Sequence, residues 1–265
     1  MELKDLTGLS WSMRYNNGSS YGCLYKSSEI INGVKYYYKC SAYYSGQGLF
    51  GDESVNEVIC SRFLNLLGFN CLKYTLVYAK INLNDFEYKT YICKSRNFFR
   101  GYDSRVTLED IHLLNRGMSV DELITNLGIQ DEIRNMLICD FLVLNRDRHG
   151  ANIELLEKNE RYGLSPIFDN GLGLLSPYPS SFNNDVRSFD VLANHPVNNY
   201  IGTRSLYQNL SYIRKPIKVN KFVMDDKRKI FYGLNKILPK QYIEKIWQLL
   251  TYRYMFLKQR GYIYD

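Results

Sequence analysis

The chain contains two short polar segments that constrain its fold, because their side chains act together only if the fold brings them together. Asp147 lies five residues before Asn152, and Asp169 follows an apolar stretch and precedes Asn170 and Gly171. Phosphoryl transfer needs such a set: a carboxylate beside the attacking hydroxyl, and an Asn and an Asp that share the magnesium ion bound to ATP phosphates. We therefore predict that Asp147 is a catalytic residue, either the base or the group that orients the hydroxyl, and that Asn152 and Asp169 are catalytic magnesium ligands. The alternative for the Asp169 segment is an ordinary turn.

Composition restricts the class of protein. The 265 residues are 45% hydrophobic and 23% charged, which is typical of a folded globular protein. No run of about 18 apolar residues is present, so no membrane span is predicted, and the charged start of the chain is unlike a signal peptide. Six scattered cysteines without a Cys-x-x-Cys pair indicate reduced core residues and a cytoplasmic location. Export by a route that needs no signal peptide is the alternative.

Positive charge is concentrated at the C-terminal end. Residues 214–265 contain 13 Lys and Arg residues and 4 Asp and Glu residues, a net charge of +9, against +7 for the whole chain. Apolar residues interrupt these charges at helical spacing, which predicts helices near 221–234 and 239–260 with solvated basic faces. The alternative is a surface for nucleic acid, an acidic partner or an anionic membrane. The 24 tyrosines are spread along the chain, unlike a stacking platform for bases, so direct nucleic-acid binding is not expected.

Residues 1–97 have the pattern of a β-rich lobe. Asn32-Gly33 is a strong signal for a two-residue hairpin between two strands. The period then changes to helical spacing, and the predicted helix ends at Gly68. Further strands are predicted at residues 72–81 and 87–93.

Residues 98–265 have the pattern of a mainly helical lobe that carries the catalytic segments. A capping-box pattern at residues 119–122 opens one helix, and an apolar face over 130–144 predicts a second that leads to Asp147. Residues 176–199 are rich in Pro, Ser and Asn, which predicts a long loop. A β-rich lobe followed by a helical lobe predicts an α+β fold with a cleft between the two.

The β-rich lobe supplies charged groups suited to ATP phosphates. Lys39 lies on a strand after the hairpin, where its ammonium group is predicted to bind phosphates; the alternative is an exposed strand lysine. Glu57 lies early on the next helix and is predicted to pair with Lys39. The alternative is a capping box in which Glu57 accepts a bond from the backbone amide of Ser54.

A glycine-containing loop precedes these residues. In the segment Gly18-Ser19-Ser20-Tyr21-Gly22, glycine permits close approach of the backbone, so its amides are predicted to bind phosphates. A plain β-turn is the alternative. Ser19 and Ser20 are also candidates for autophosphorylation.

Two polar residues near Asp147 are assigned structural roles. Asp140 interrupts the apolar face of its helix, and its buried carboxylate is predicted to accept bonds from backbone amides of the next loop. His149 is one of three histidines, none of them at metal-ligand spacing, so it is predicted to support the loop. No Gly-x-Ser-x-Gly motif is present, which leaves an acyl-transfer hydrolase unsupported.

The segments at 140–152 and 167–171 resemble the catalytic and metal-binding segments of HipA-like serine/threonine kinases, in particular the short single-chain bacterial members. The Asp-Arg-His order at 147–149 also resembles phosphoinositide kinases and differs from the His-Arg-Asp of ordinary protein kinases. The resemblance implies a two-lobed protein-kinase-like fold, with ATP and Mg²⁺ as cofactors and Lys39 on the ATP phosphates. It also implies a hinge at Tyr91–Lys94, in which the backbone of Cys93 and Lys94 binds adenine.

The residues and the resemblance together predict an ATP- and Mg²⁺-dependent kinase that transfers the γ-phosphoryl group to Ser or Thr of a protein. The alternatives are a phosphoinositide-type lipid kinase and a catalytically silent binding module with a kinase fold. Larger HipA toxins carry an additional N-terminal subdomain and bind a DNA-binding antitoxin. This chain is short for that subdomain, so an antitoxin-like partner stays unidentified.

Overall fold

A seven-stranded sheet lies within residues 3–96. The structure is a computed structural model that describes residues 1–14, 23–44, 47–176, 178, 180 and 185–265. The strands of the sheet are β1 (Leu3–Asp5), β2 (Ser12–Arg14), β3 (Cys23–Ile31), β4 (Val34–Tyr44), β5 (Gly48–Leu49), β6 (Tyr74–Leu83) and β7 (Phe86–Arg96). Their order is β1-β6-β7-β4-β3-β2, with β5 paired to β4. Among the described strands of this sheet, β1 and β6 pair in parallel and the other neighbours pair antiparallel.

The hairpin of β3 and β4 decides which residues share a face of the sheet. Asn32 and Gly33 have φ angles of 50° and 73°, the left-handed conformations that a two-residue turn of this kind requires. The resulting register places Lys26 opposite Lys39. Residues directly opposite each other in an antiparallel pair point to the same side, so these two lysines lie on one face.

The two faces of β4 have different neighbours. Tyr38 and Cys40 lie in a small apolar core that also contains residues of β3, β6 and β7. Strand alternation turns Lys39 to the opposite face, which is covered by α1 (Glu53–Leu66). The helix ends two residues before Gly68, which has a φ angle of 93°, as the sequence predicts.

The rest of the chain is mainly helical, with three small sheets. Its helices are α2 (Leu108–Leu114), α3 (Val120–Leu127), α4 (Gln130–Val143), α5 (Leu206–Asn209), α6 (Asp226–Ile230) and α7 (Lys240–Gln259). The first of these sheets contains β8 (Ser104–Thr107), β10 (Glu154–Lys158) and β11 (Arg161–Leu164). The other two are the pairs β9 (Asp147–Arg148) with β12 (Asn198–Asn199), and β13 (Ile217–Lys218) with β14 (Ile263–Tyr264).

Helix α4 carries the chain to the predicted catalytic segment. Its buried residues, which include Ile133, Met136 and Phe141, pack in the large core that α1, α3 and α7 share. The helix stops where Leu144 takes a left-handed φ of 52°, and the chain then turns toward Asp147. The capping box that opens α3 is present as predicted.

The C-terminal helices differ in part from the prediction. The helix expected near 221–234 is only the five-residue α6, because the carboxylate of Asp226 accepts the Val223 amide at 3.0 Å in a local turn that replaces helical bonding. Helix α7 matches its predicted range, and its exposed positions include Lys240 and Lys258.

The cysteines agree with an expectation from composition. The five cysteines whose side chains the structure describes are buried and free, in keeping with reduced core residues. None of the helices within the described ranges is both long and apolar enough to cross a membrane.

Candidate active site

A small cleft contains four of the side chains that the sequence singles out as site residues. Lys39 reaches it from β4, Asp147 and Asn152 from the segment after α4, and Asp169 from the segment after β11. The residues that line it are Leu24, Lys39, Glu53, Asp147, His149, Asn152, Asp169, Gly171 and Leu172.

Lys39 is buried in this cleft and is paired with two carboxylates. Its Nζ donates to Glu57 Oε1 at 2.7 Å and forms an ion pair with Asp169 Oδ1. Burial alone lowers the pKa of Lys39, but the negative charges of Asp169 and Glu57 raise it above its ordinary value. The ammonium group is therefore charged at neutral pH. The alternative of an exposed strand lysine is wrong.

Glu57 connects three parts of the site. The side chain is fully buried on α1; one oxygen accepts from Lys39, and Oε2 accepts the backbone amide of Asn170 at 2.9 Å. The capping-box alternative is wrong, because the N-terminus of α1 has no side-chain cap and Ser54 Oγ instead donates to the Lys39 carbonyl at 2.9 Å. Glu57 thus ties β4 and α1 to the chain just after Asp169.

Asp169 has its carboxylate between two lysines. Its backbone has a left-handed φ of 59°, as a turn residue often has, but its side chain reaches the cleft. Besides the pair with Lys39, Lys26 Nζ lies 3.9 Å from Oδ2. Burial alone raises the pKa of Asp169, but Lys39 and Lys26 lower it well below its ordinary value. The carboxylate is therefore ionised at neutral pH, the form that binds a metal ion.

Asp147 and Asn152 belong to one short loop. Asn152 ends a 3₁₀ turn over Gly150–Asn152, and its Nδ2 donates to the Asp147 carbonyl at 3.3 Å. Asp147 Oδ1 accepts from Asn198 Nδ2 at 2.7 Å. His149 also lines the cleft, with Nε2 3.9 Å from Asp147 Oδ2. Its predicted supporting role stays a prediction.

Arg148 holds together the two predicted metal-binding segments. The side chain is 1% exposed. Its Nη1 donates to the carbonyls of Asn152 (3.2 Å) and Phe168 (2.6 Å), and its Nη2 donates to Asn170 Oδ1 at 2.8 Å. One guanidinium group therefore fixes the backbone at Asn152 relative to both neighbours of Asp169.

Asp140 is buried as predicted, but its partners differ from the prediction. Its carboxylate accepts bonds from Arg148 (Nε and Nη2) and from Asn145 Nδ2 at 2.9 Å. These are side-chain donors, whereas backbone amides were expected. A guanidinium group matches a carboxylate with parallel bonds and neutralises its charge, which a buried carboxylate requires.

The structure corrects the predicted position of the hinge. Cys93 and Lys94 lie in the interior of β7, paired with β4 on one side and β6 on the other. Backbone groups in such a strand bond to the neighbouring strands. Cys93 instead contributes a buried thiol beside Lys39, with its Sγ donating to the Lys39 carbonyl at 3.7 Å. The ammonium group of Lys94 lies 4.0 Å from the ring centroid of Tyr36.

The chain leaves the sheet only after Arg96. Asn97 N still donates to the Lys35 carbonyl at 2.9 Å. Phe98 then stacks on Phe168, the residue before Asp169, with ring centroids 5.8 Å apart. The segment that connects the sheet to the helical part therefore begins about three residues after the predicted hinge.

Two sets of expectations stay predictions. Gly18, Ser19 and Ser20 lie outside the described residues, so the phosphate loop and the autophosphorylation hypothesis are untested.

Within the part of the chain that the structure describes, no three His, Cys, Asp or Glu residues form a metal-binding group. Magnesium keeps water and phosphate oxygens as ligands and needs few from the protein, so Asp169 with Asn152 fits its donor requirements.

Three residues of the site were missed from sequence: Lys26, Arg148 and Asn198. The hairpin register at Asn32-Gly33 contained the signal for Lys26, because it sets that residue opposite Lys39. The contacts of Arg148 and Asn198 join segments distant in sequence, for which neither spacing nor periodicity gives a signal.

Comparison with known structures identifies the architecture. The chain is similar to the Helicobacter pylori proinflammatory kinase CtkA, with a TM-score of 0.61 and 17% sequence identity over 97% of this chain and 96% of that chain. The chain has a kinase fold. The predicted α+β kinase-like fold, with a β-rich N-terminal lobe and a helical C-terminal lobe, is confirmed.

A second similar structure is HipA of the Shewanella oneidensis MR-1 toxin–antitoxin system, solved with HipB and operator DNA. Its TM-score is 0.44 at 14% identity, over 92% of this chain and 60% of that chain. The kinase fold shared with CtkA agrees with the resemblance to kinases noted in the sequence. No protein-family model matches the sequence, and no curated protein matches it.

Proposed function

We propose that the protein is a kinase that transfers the γ-phosphoryl group of ATP, with Mg²⁺, to a Ser or Thr hydroxyl of a protein. The observation that supports this most strongly is that Lys39, Asp147, Asn152 and Asp169 line one cleft. Glu57 adds support, because it holds the ammonium group of Lys39 at 2.7 Å. A module that only binds a partner has no need of this complete set.

In this proposal the cleft binds the phosphates and the metal ion through different groups. Lys39 and Lys26, on one face of the sheet, supply positive charge to the phosphates. Asp169 and the amide oxygen of Asn152 are the magnesium ligands, since hard oxygen donors suit this ion. When bound, Mg²⁺ neutralises charge that develops on the phosphates.

Asp147 is the base in this proposal. Its carboxylate accepts the proton of the acceptor hydroxyl as the acceptor oxygen bonds to the γ-phosphorus. The bond from that phosphorus to the β,γ-bridging oxygen breaks, and ADP leaves with the electron pair. Arg148 supports the reaction indirectly, because it fixes the loop of Asp147 and Asn152 relative to Asp169.

The remaining assignments follow from this function. Residues 1–97 are proposed as the nucleotide-binding lobe and 98–265 as the catalytic lobe, with the adenine-binding hinge in the segment after Arg96. A cytoplasmic location suits the buried free thiols. The proposed partner is a protein substrate, and an antitoxin-like partner of the HipB kind has no support among the residues described above.

Phosphoryl transfer from γ-labelled ATP tests the proposal. We expect Mg²⁺-dependent labelling of a Ser/Thr protein acceptor and none of phosphoinositide vesicles, which would accept label from a lipid kinase. Intact mass after incubation with Mg²⁺ and ATP reports autophosphorylation. Asp147→Asn and Asp169→Asn are the controls. Equal labelling by both variants and the unmodified chain would contradict the assigned roles, and no transfer by the unmodified chain would favour a silent binding module.

A further inference from the structure

Asn198 contacts Asp147 directly, although 51 residues separate them. Strand β12 runs parallel to β9, and Asn198 Nδ2 donates to Asp147 Oδ1 at 2.7 Å. An ionised carboxylate only accepts hydrogen bonds, so the amide nitrogen of Asn198, not its oxygen, faces it. The bond engages one of the two carboxylate oxygens.

The backbone around Asn198 is fixed to the backbone around Asp147. Asn198 N donates to the Arg146 carbonyl at 2.7 Å, and Tyr200 N donates to the Arg148 carbonyl at 2.9 Å. The two bonds lie on either side of the side-chain contact. Only the side-chain torsions of Asn198 are then left free to move its amide.

Tyr200 anchors this strand to the helical lobe. Its ring packs against Gly150 so closely that a Cβ atom at Gly150 would lie 2.9 Å from Tyr200 Cδ2. Its hydroxyl lies 2.7 Å from His112 Nδ1 on α2. The strand that carries Asn198 is thus pressed against the loop that carries Asp147.

A buried arginine anchors the chain that leads into this strand. Arg253 on α7 is fully buried and donates to the carbonyls of Val191 (2.8 Å) and Ala193 (3.3 Å), and to that of Phe141 on α4 (3.0 Å). Because all of these acceptors are backbone carbonyls, its role is to hold this segment against α4. The chain before and after the exposed Asn198 is therefore held to the helical lobe.

We propose that Asn198 is the positioning residue of Asp147, an inference that rests on the proposed function. Its amide holds Oδ1 and so directs Oδ2 toward the acceptor hydroxyl, whose proton Oδ2 accepts as the acceptor oxygen bonds to the γ-phosphorus. The proton then passes to solvent. His149 Nε2 lies 3.9 Å from Oδ2, beyond hydrogen-bond distance, and leaves that oxygen available.

The test compares Asn198→Ala with Asn235→Ala, a control at an exposed turn position. For Asn198→Ala we expect kcat to fall roughly 10- to 100-fold with KM for ATP within about twofold. Asn198→Asp should lose more activity, because a second carboxylate would face Asp147. The thermal unfolding temperature should match that of the control.

The outcomes separate this inference from the proposed function. An active chain in which Asn198→Ala keeps the kcat of the control overturns the positioning role alone. A lower kcat together with a lower unfolding temperature also overturns it, since that is a structural effect. If the unmodified chain transfers no phosphoryl group while folded, the proposed function and this inference both fail.

Discussion

Lys39 and Asp169 form an ion pair, although 130 residues separate them in the sequence. Lys39 comes from the central region of the sheet, and Asp169 from the segment after β11. The proposed function assigns the ammonium group to the ATP phosphates and the carboxylate to Mg²⁺. Binding of Mg²⁺ and ATP must therefore exchange this pair for two new pairs of opposite charge, lysine with phosphate and aspartate with metal.

Replacing Lys39 should cost stability through the carboxylate it leaves behind. Lys39→Met leaves the fully buried Glu57 without its cation, and breaking a buried pair in this way costs about 3–5 kcal/mol. The double variant Lys39→Met/Glu57→Gln should recover part of that loss. Urea unfolding measures the stability of the single and the double variant. The control is Lys35→Met, which replaces an exposed lysine of the same strand. Strictly additive effects of the two substitutions would contradict the coupling.

Stability should depend on acid through Asp169. Burial opposes ionisation of this carboxyl, but Lys39 and Lys26 hold its folded-state pKa well below the ordinary value of 3.8. The contribution of Asp169 to the free energy of unfolding is therefore present above about pH 4 and is lost as the pH falls below that value. The free energy of unfolding should drop more between pH 6 and pH 3 in the unmodified chain than in Asp169→Asn. Equal drops would show that Asp169 makes no such contribution.

Lys26 should contribute to ATP binding. It shares a face with Lys39 and has its Nζ 3.9 Å from Asp169 Oδ2. Removal of one cation at a phosphate site should weaken binding by roughly 3- to 10-fold, the effect of about 1 kcal/mol. Isothermal titration of Lys26→Ala with Mg²⁺ and ATP measures this, and Lys35→Ala should bind normally. Normal binding by Lys26→Ala would remove it from the site.

Arg148 should be a second position near the cleft at which substitution costs much stability. Arg148→Ala leaves Asp140 as a buried unpaired carboxylate and frees the Phe168 carbonyl and the Asn170 side chain on the two sides of Asp169, so we expect a loss of about 3–5 kcal/mol. Removal of the exposed Arg187, which pairs with Asp185, should cost less than about 1 kcal/mol. Chemical denaturation compares the two. A small loss in Arg148→Ala would show that other contacts fix the loop.

The sequence predicted the parts of the site that local patterns encode. Asn32-Gly33 fixed the hairpin and so the face of Lys39, and the spacing of Asp147, Asn152 and Asp169 identified the residues that line the cleft. These predictions work because turn residues and strand alternation act over a few positions.

The contacts that the sequence did not predict are those between distant segments. The Asn198–Asp147 bond depends on a two-residue parallel pair, which is too short to leave a periodic pattern. Ser54-x-x-Glu57 has the form of a capping box, so the sequence left two partners open for Glu57. In the structure Glu57 pairs with the buried Lys39. The predicted hinge segment lies inside β7, because that strand continues to Arg96, a boundary of the kind that sequence patterns locate poorly.

The most direct test of the central claim is thermal unfolding with ATP in the presence and absence of Mg²⁺. The account predicts that ATP and Mg²⁺ together stabilise the unmodified chain by about 2–3 kcal/mol at a hundredfold excess over Kd, which raises the unfolding temperature by about 5 °C or more. Asp169→Asn should lose the part of this shift that depends on Mg²⁺. A shift that is the same without Mg²⁺, or that Asp169→Asn retains in full, would contradict a shared magnesium–ATP site in this cleft.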